Sequence, residues 1–204
     1  MNLQLQDQEG FEAFRHAYRA AIKEVRTKIE ILSEDFAVRH DYNPIHHIER
    51  RLKTPDSIEE KLTRLGKEIT IASARENIFD IAGIRVVCNF IDDVYAIADM
   101  LTSQSDVKLL TEKDYIKNPK ANGYRSLHLI VEVPVFFSDQ TRNMRVEVQI
   151  RTIAMDFWAS LEHKIYYKYE GNAPDYFERE LQECASIISR LDTKMMSLNE
   201  AMKK

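Results

Sequence analysis

The segment 144–151 alternates strictly between apolar and polar side chains. Because successive side chains of a β-strand point to opposite faces, this alternation predicts a strand with one apolar and one polar face. Taken alone, the polar face is explained by exposure to solvent. The apolar positions are Met144, Val146, Val148 and Ile150, and the polar positions are Arg145, Glu147, Gln149 and Arg151.

A second strand is predicted over 124–136, and it also has two unlike faces. Side by side, the two polar faces can form the floor of one open cleft, which weakens the explanation by solvent exposure. The apolar positions of the second strand are Leu127, Leu129, Val131 and Val133, and its polar positions are Tyr124, Ser126 and His128.

The remaining segments predict helices around this sheet, one further strand and one loop. Their order favours an α+β fold in which a mostly antiparallel or mixed sheet lies between helical ends. We expect helices over 7–33, from Pro55, from Asp92 to about Ser103, from Ile153 to about Tyr169 and over 175–203, a strand over 80–91 and a loop over 111–123.

The last predicted helix carries apolar residues at gaps of four and three, which is a heptad pattern. Such a pattern is explained either by packing within the same domain or by contact with another subunit, and both explanations stay open. The apolar positions are Phe177, Leu181, Cys184, Ile188, Leu191, Met195, Leu198 and Met202.

Composition excludes several classes of protein. The chain has 204 residues, which favours a single domain, here divided into a helix over 1–39, a core over 40–170 and a helix over 171–204. No apolar run is long enough for a membrane helix, and no signal peptide or cysteine metal motif is found, so we expect a cytoplasmic protein. With 29 basic and 33 acidic residues, the chain is not a general nucleic-acid binder, and phosphate binding would need a local basic cluster.

Such a cluster lies in 113–125, which we call the basic loop. It holds three lysines and one arginine against one aspartate. Lysines bind phosphates as point charges, and Tyr124 offers a ring on which a base can stack. A solvated loop is the alternative. The segment 50–64 is also basic, with Lys61 and Arg64 on one helical face, although surface ion pairs explain it equally well.

Two acids could meet at this cleft. Asp80 and Glu147 form a plausible Mg²⁺ site, since such sites use few carboxylates and leave positions for water and phosphate. Arg85 lies among apolar residues of a predicted strand, which suggests contact with a ligand or an ion pair with Glu147 or Asp156.

Five motifs resemble the synthetase domain of the RelA/SpoT homologue family. The resemblance covers about residues 40–170, and the details are nearer to the RelP than to the RelQ type of stand-alone small alarmone synthetase. The motifs are Arg-Leu-Lys at 51–53, Asp-Ile-Ala-Gly-Ile-Arg-Val at 80–86, Asp-Tyr-Ile-x-x-Pro-Lys-x-Asn-Gly-Tyr-Arg-Ser-Leu-His at 114–128, Glu-Val-Gln-Ile-Arg-Thr at 147–152 and Phe-Trp-Ala-Ser-Leu-Glu-His-Lys at 157–164.

The resemblance implies a nucleotidyltransferase-like fold, with a mixed sheet flanked by helices. It also implies a GTP diphosphokinase that moves the β,γ-diphosphate of ATP to the 3′-hydroxyl of GTP or GDP and releases AMP. The product, ppGpp or pppGpp, is the alarmone of the bacterial stringent response. Mg²⁺ is the implied cofactor and a homotetramer the implied assembly, with no membrane and no stable nucleic-acid partner.

The same resemblance implies roles for individual residues. Asp80 and Glu147 match the Mg²⁺-binding acids, and Glu147 also matches the acceptor of the 3′-hydroxyl proton. The ATP-binding positions are Arg51, Lys53, Lys61, Arg64 and Arg85, with Arg51 and Arg85 enclosing adenine. The GTP- or GDP-binding positions are Lys113, Lys120, Asn122, Tyr124 and His128, with Tyr124 stacking on guanine. Supporting positions are Ser126, Gln149, Arg151, Glu162 and His163, the last two close enough in sequence to reach the cleft.

Two features depart from the long family members. Thr-Glu-Lys-Asp stands at 111–114, without the arginine of their Arg-x-Lys-Asp motif, so a metal preference does not follow from it. No counterpart of their hydrolase domain is recognised, which predicts synthesis without hydrolysis. The alternative function is a non-catalytic nucleotide or single-stranded RNA sensor on the same fold, since the basic loop and Tyr124 would serve it equally well.

Overall fold

A computed structural model describes residues 8–168 and 175–202. Asp7, Tyr169 and Lys203, at the ends of predicted helices, lie outside the described residues. The helices are α1 (Gln8–His40), α2 (Pro55–Arg64), α3 (Ile71–Asn77), α4 (Ile91–Thr102), α5 (Ile153–Lys168) and α6 (Asp175–Met202). The strands are β1 (Ile45–Leu52), β2 (Ala82–Cys88), β3 (Lys108–Asp114), β4 (Leu127–Phe136) and β5 (Thr141–Thr152).

The five strands form one mixed sheet in the order β1-β2-β5-β4-β3. Only β2 and β5 are parallel, and the other three neighbouring pairs are antiparallel. The parallel register places Gly83 beside Glu147, so the residues just before β2 lie near the middle of β5. The α+β fold with a mixed sheet and long terminal helices is therefore confirmed.

Helix α1 covers the apolar face of the sheet. Its residues Phe14, Val25 and Ile29 have no exposed surface, and they join one core with the apolar side chains of β4 and β5. Burial of this helical face supplies most of the stability of α1, because isolated helices are marginal in water. The opposite, polar face of the sheet is left to form a cleft.

Helix α6 packs within the chain over one part of its heptad pattern and is exposed over another. It packs against α5, where Trp158 Nε1 donates a 3.0 Å hydrogen bond to the carbonyl oxygen of Leu181. Farther along, Leu191, Met195 and Leu198 are about half exposed. One part of the pattern thus packs within the chain, and the other part presents an apolar surface.

The structure corrects several element boundaries. The loop predicted over 111–123 is wrong at its start, because 111–114 belongs to β3, and neither β1 nor α3 was predicted. The two strands that were not predicted, β1 and β3, lie at the edges of the sheet. Half of the residues of β1 and nearly all of those of β3 are exposed, so both lack the alternation that reveals half-buried strands. Asp80 precedes β2 instead of beginning it, and β4 begins at Leu127, after Tyr124 and Ser126.

No helix among residues 8–168 and 175–202 is long and apolar enough to cross a membrane. Both cysteines are free thiols, with Cys88 buried and Cys184 exposed.

Candidate active site

Two cavities on the polar face of the sheet share Asp80 and Glu147. Their volumes are about 320 and 380 Å³. The first, which we call the arginine–lysine cavity, is lined by Arg51, Lys53, Arg85 and Gln149 together with the two acids. The second, which we call the loop cavity, is lined by Lys61, Phe79, Lys113, Tyr115, Lys120 and His128 together with the same acids.

Asp80 is held between two lysines. Its Oδ2 accepts a 2.9 Å hydrogen bond from Lys53, just after β1, and its Oδ1 accepts a 2.7 Å bond from Lys61 in α2. The side chain of Thr54 caps the start of α2, and the backbone of Lys53 bonds to Ile81, which fixes both lysines beside Asp80. Burial alone would raise the pKa of Asp80, but the bonds from Lys61 and Lys53 outweigh burial and lower the pKa.

Glu147 lies on β5 and is also held at both oxygens. Gln149 donates a 2.9 Å bond to Oε2, and His128 Nδ1 lies 3.3 Å from Oε1. Burial would raise the pKa of Glu147, but these partners outweigh it, and the pKa lies below its ordinary value. The carboxylate is therefore ionised at neutral pH and can accept hydrogen bonds or a proton.

Tyr124 connects His128 to the basic loop. Its hydroxyl oxygen lies 2.9 Å from His128 Nε2, and burial raises the pKa of the phenol. Lys120 Nζ lies 4.8 Å from the ring centre of Tyr124 and 4.9 Å from that of Tyr115, within the range of cation–π contact. Tyr115, which lines the loop cavity, was not among the predicted site residues, although it lies in the motif at 114–128.

Arg85 pairs with one of its two predicted partners and with one residue that was not predicted. Its guanidinium bonds to Glu49 at 2.9 Å and lies 3.6 Å from Asp156, so the predicted pair with Asp156 is confirmed and the pair with Glu147 is wrong. Glu49 on β1 is opposite Arg85 on β2 in the antiparallel register, which places the two side chains on one face. Arg151 also lies near Asp156, at 3.4 Å, and burial lowers the pKa of its guanidinium.

The other predicted residues divide into supporting and distant groups. Ser126 is fully buried and donates to the carbonyl oxygen of Ile150, which fixes the start of β4 against β5. Asn122 donates to Glu162 at 3.3 Å, which ties the basic loop to α5. Arg64 and His163 are exposed and line neither cavity.

The basic loop is also fastened to α6. Gly123 has a positive φ of 90°, and a Cβ there would lie 2.5 Å from the Cβ of Ala185. Gln182 donates a 2.6 Å bond to the carbonyl oxygen of Ala121. Only glycine therefore allows the loop to approach α6 this closely.

The donor set suits a hard divalent cation. Asp80 and Glu147 supply carboxylate oxygens at the junction of the cavities, and within the described ranges no group of three or more His, Cys, Asp or Glu residues is placed to hold a metal ion. Mg²⁺ is bound in this way, by one or two carboxylates together with substrate phosphates. Chemically, the site can hold two phosphate-bearing molecules with their reacting groups beside these acids.

Comparison with known proteins gives one consistent result. Residues 50–172 match the family model described as a region found in RelA/SpoT proteins. The GTP pyrophosphokinase YwaC of Bacillus subtilis is 46% identical over 183 residues, which cover 90% of this chain and 87% of that protein.

Two solved structures have the same fold over nearly the whole chain. The small alarmone synthetase 2 of Bacillus subtilis superposes with a TM-score of 0.86 and 42% identity, covering 95% of this chain and 100% of that one. The small alarmone synthetase 1 of the same organism, bound to its product pppGpp, gives a TM-score of 0.88 and 34% identity, with coverage of 96% and 100%.

Proposed function

This chain belongs to the RelA/SpoT family, and we propose that it transfers the β,γ-diphosphate of ATP to the 3′-hydroxyl of GTP or GDP. The observation that carries the proposal is the pair of basic cavities that share Asp80 and Glu147. A reaction between two nucleotides needs two binding spaces that meet at the reacting groups. The products are AMP and pppGpp or ppGpp, an alarmone of the stringent response.

We assign ATP to the arginine–lysine cavity. Arg51 and Arg85 line it with planar guanidinium groups, which stack well on a base such as adenine. Lys53 and Lys61 lie at the other end, beside Asp80, where they can turn to phosphate oxygens. The base and the phosphates of ATP then lie along the cavity, with the phosphates at its junction with the loop cavity.

We assign GTP or GDP to the loop cavity. Lys113 and Lys120 supply charge for the 5′-phosphates. Tyr124 supplies the ring for guanine, and its ring contacts Tyr115 and His128, which line the cavity. Asn122 accepts a hydrogen bond from the backbone of Tyr124 and so supports the position of that ring. The 3′-hydroxyl is then directed toward Glu147.

Transfer needs one new bond and one broken bond. The 3′-oxygen attacks the β-phosphorus of ATP, the bond between that phosphorus and the α,β-bridging oxygen breaks, and AMP leaves. Glu147 takes the proton of the hydroxyl as the bond forms, with His128 and Gln149 holding its carboxylate in place. Lys53 and Lys61 balance the charge that spreads over the phosphate oxygens.

Asp80 and Glu147 are the residues that would hold Mg²⁺, which when bound supplies charge neutralisation and orientation for the diphosphate. Asp80 and Glu147 are both ionised at neutral pH, as metal binding requires.

We further propose that copies of the chain associate through the apolar surface of α5 and α6, as a homotetramer. Phe157 is 58% exposed, and it lies beside Leu191 and Met195 along one groove. An exposed apolar surface of this kind is typical of a subunit interface. Light scattering on the purified protein measures the assembly directly, and a monomer would contradict it.

We also place the enzyme in the cytoplasm, where ATP and GTP are abundant and free thiols such as Cys88 and Cys184 persist.

A turnover assay tests the proposed reaction. The protein is incubated with Mg²⁺, ATP and either GTP or GDP, and the products are separated by ion-exchange chromatography. We expect AMP and a guanosine 3′-diphosphate in equal amounts. Folded protein that binds both nucleotides without releasing AMP would instead be a sensor, and the proposal would fail.

Glu147→Gln is the matched variant for this assay. Glutamine keeps the size of the side chain and one oxygen that accepts a hydrogen bond from Gln149 or His128, but it cannot take the 3′-hydroxyl proton. We expect AMP formation to fall by about a hundredfold or more, while both nucleotides still raise the melting temperature of the variant. Full activity in this variant would exclude Glu147 as the proton acceptor.

A further inference from the structure

A third cavity lies at the start of β5 and is not lined by the two shared acids. It is formed between the first half of α1, the helix α3 and the end of the β4–β5 hairpin, and its volume is about 240 Å³. We call it the arginine pocket, and its polar lining consists of Tyr18, Arg75, Glu132, Arg142, Asn143 and Arg145. None of these residues belongs to the nucleotide-binding positions described above.

The arginine pocket concentrates positive charge in an acidic chain. Arg75, Arg142 and Arg145 line it against one carboxylate, that of Glu132. Within the described part of the chain, no carboxylate lies in ion-pair distance of any of these three guanidinium groups. The charge is therefore available to a bound anion.

Aromatic rings hold these guanidinium groups in place. Arg75 lies 5.6 Å from the ring centre of Phe14, and Arg142 lies 5.4 Å from that of Phe137. A ring contact orients the planar group and leaves its N–H edges free to donate. The buried side chain of Tyr18 lines the same pocket as Arg75 and Arg145.

From this arrangement we propose that the arginine pocket binds a compact anion with several phosphate groups, such as an inorganic triphosphate or the phosphate tail of a nucleotide. Guanidinium groups form paired, charge-assisted hydrogen bonds to phosphate oxygens, and three of them offset a large part of the negative charge of such a ligand. The cavity volume lies below the range of sites that enclose a drug-sized ligand, so it suits a phosphate chain better than a whole nucleotide.

The pocket is connected to the loop cavity through Arg145. Its guanidinium lies 4.7 Å from the ring centre of Phe79, and it makes long bonds of 3.5 and 3.4 Å to the carbonyl oxygens of Arg75 and Glu76. Phe79 lines the loop cavity and directly precedes Asp80. An anion that draws Arg145 away from Phe79 therefore changes the wall of the loop cavity, and the affinity for the nucleotide there changes with it.

Binding is tested with inorganic triphosphate as the probe, in calorimetry with Mg²⁺ in excess. The two larger cavities are first filled with GDP and an ATP analogue that carries a methylene bridge between its α- and β-phosphates. We expect the wild-type protein to bind one further triphosphate per chain. We expect Arg75→Ala combined with Arg142→Ala to weaken this binding by about tenfold or more.

Matched control variants distinguish binding in the arginine pocket from nonspecific electrostatic attraction of the anion to the protein. Arg19→Ala combined with Arg39→Ala removes the same charge from exposed positions of α1 and should leave triphosphate binding unchanged. If the double pocket variant does not fold, Arg142→Gln alone, on the hairpin, serves in its place. Equal binding by wild type and pocket variant, no binding by wild type, or equal binding of citrate would each overturn the proposal.

The connection to the loop cavity rests on the proposed function and has its own readout. Inorganic triphosphate should change the KM for GTP in the wild-type enzyme and not in the pocket variant. An unchanged KM with intact triphosphate binding would overturn the connection alone. An enzyme without any turnover would overturn the proposed function, and the calorimetric result would still stand.

Discussion

His128 Nδ1 lies 3.3 Å from Glu147 Oε1, and the Nε2 atom of the same ring lies 2.9 Å from the hydroxyl of Tyr124. The carboxylate can only accept from Nδ1, and the phenol contacts the other ring nitrogen. The three side chains thus form one chain of polar contacts. This chain holds the carboxylate that we propose as the proton acceptor and links it to the ring that we propose for guanine.

Replacing His128 should impair turnover more than binding. His128→Ala removes a hydrogen bond to a charged group, and we expect kcat to fall by about tenfold to a hundredfold. Because His128 lowers the pKa of Glu147, its loss should raise that pKa and move the acid limb of the pH–rate profile to higher pH. Steady-state kinetics across pH measure both effects, and His16→Ala, an exposed histidine on α1, is the control.

Two variants of Tyr124 separate its ring from its hydroxyl. Tyr124→Ala should raise the KM for the guanine nucleotide about tenfold or more, since stacking on an aromatic ring contributes about 1–3 kcal/mol. Tyr124→Phe should keep that KM and lower kcat, because the ring stays while the contacts of the hydroxyl with His128 and Arg151 are lost. A raised KM for ATP would show that the two cavities are assigned in reverse, and Tyr115→Ala tests whether the neighbouring ring holds the base instead.

Asp192 should make the stability of the fold depend on pH. It is 5% exposed, accepts a 2.6 Å bond from Thr152, and has a pKa that burial raises. Its ionisation therefore costs stability, and this cost is absent below the unfolded-state pKa of about 4 and complete above the folded-state value. Asp192→Asn keeps an acceptor for Thr152, so its melting temperature should exceed that of wild type at pH 7, with the difference disappearing at acidic pH.

Thermal melts from pH 3 to pH 8 test this expectation. Asp139→Asn, in the exposed hairpin turn, removes the same charge without changing a buried contact. A melting temperature of Asp192→Asn that stays below wild type at neutral pH would mean that the buried carboxylate stabilises the fold as an anion.

Gly123→Ala should displace the basic loop. The added methyl group would meet Ala185 at 2.5 Å, and alanine resists the positive φ, so we expect a loss of about 1–3 kcal/mol of stability and a raised KM for GTP. Gly66→Ala is a matched control, because Gly66 also has a positive φ but nothing within 4 Å of its Cβ position. Combining Gly123→Ala with Ala185→Gly should restore part of the affinity, and no rescue would point to backbone strain as the only cause.

The half-buried elements could be predicted from the sequence, and the exposed ones could not. Alternation over 144–151 and the heptad-like spacing of α1 both reflect burial of one face, so periodicity reports them directly. Strand β3 exposes nearly every residue, and only its pairing with β4 makes it a strand. No property of 108–114 taken alone carries that information.

The site shows the same division. Asp80, Glu147, Lys53 and His128 were predicted and converge at one junction in the structure. The pairing of Arg85 with Glu49 was missed, because it depends on the register between β2 and the unpredicted β1. Tyr115 lies in the motif at 114–128, which also contains Tyr124. Which of these two tyrosines lines the cavity depends on the conformation of the loop, and the sequence alone does not give that conformation.

The parallel register between β2 and β5 also determines when, during translation of the chain, the active site can form. Asp80 and Glu147 become neighbours only when β5 has been added to the sheet beside β2. Contacts between segments far apart in the chain form late, after the intervening loops have closed. A growing polypeptide on the ribosome therefore cannot make the alarmone until β5 has been translated, and an incomplete chain without β5 produces none.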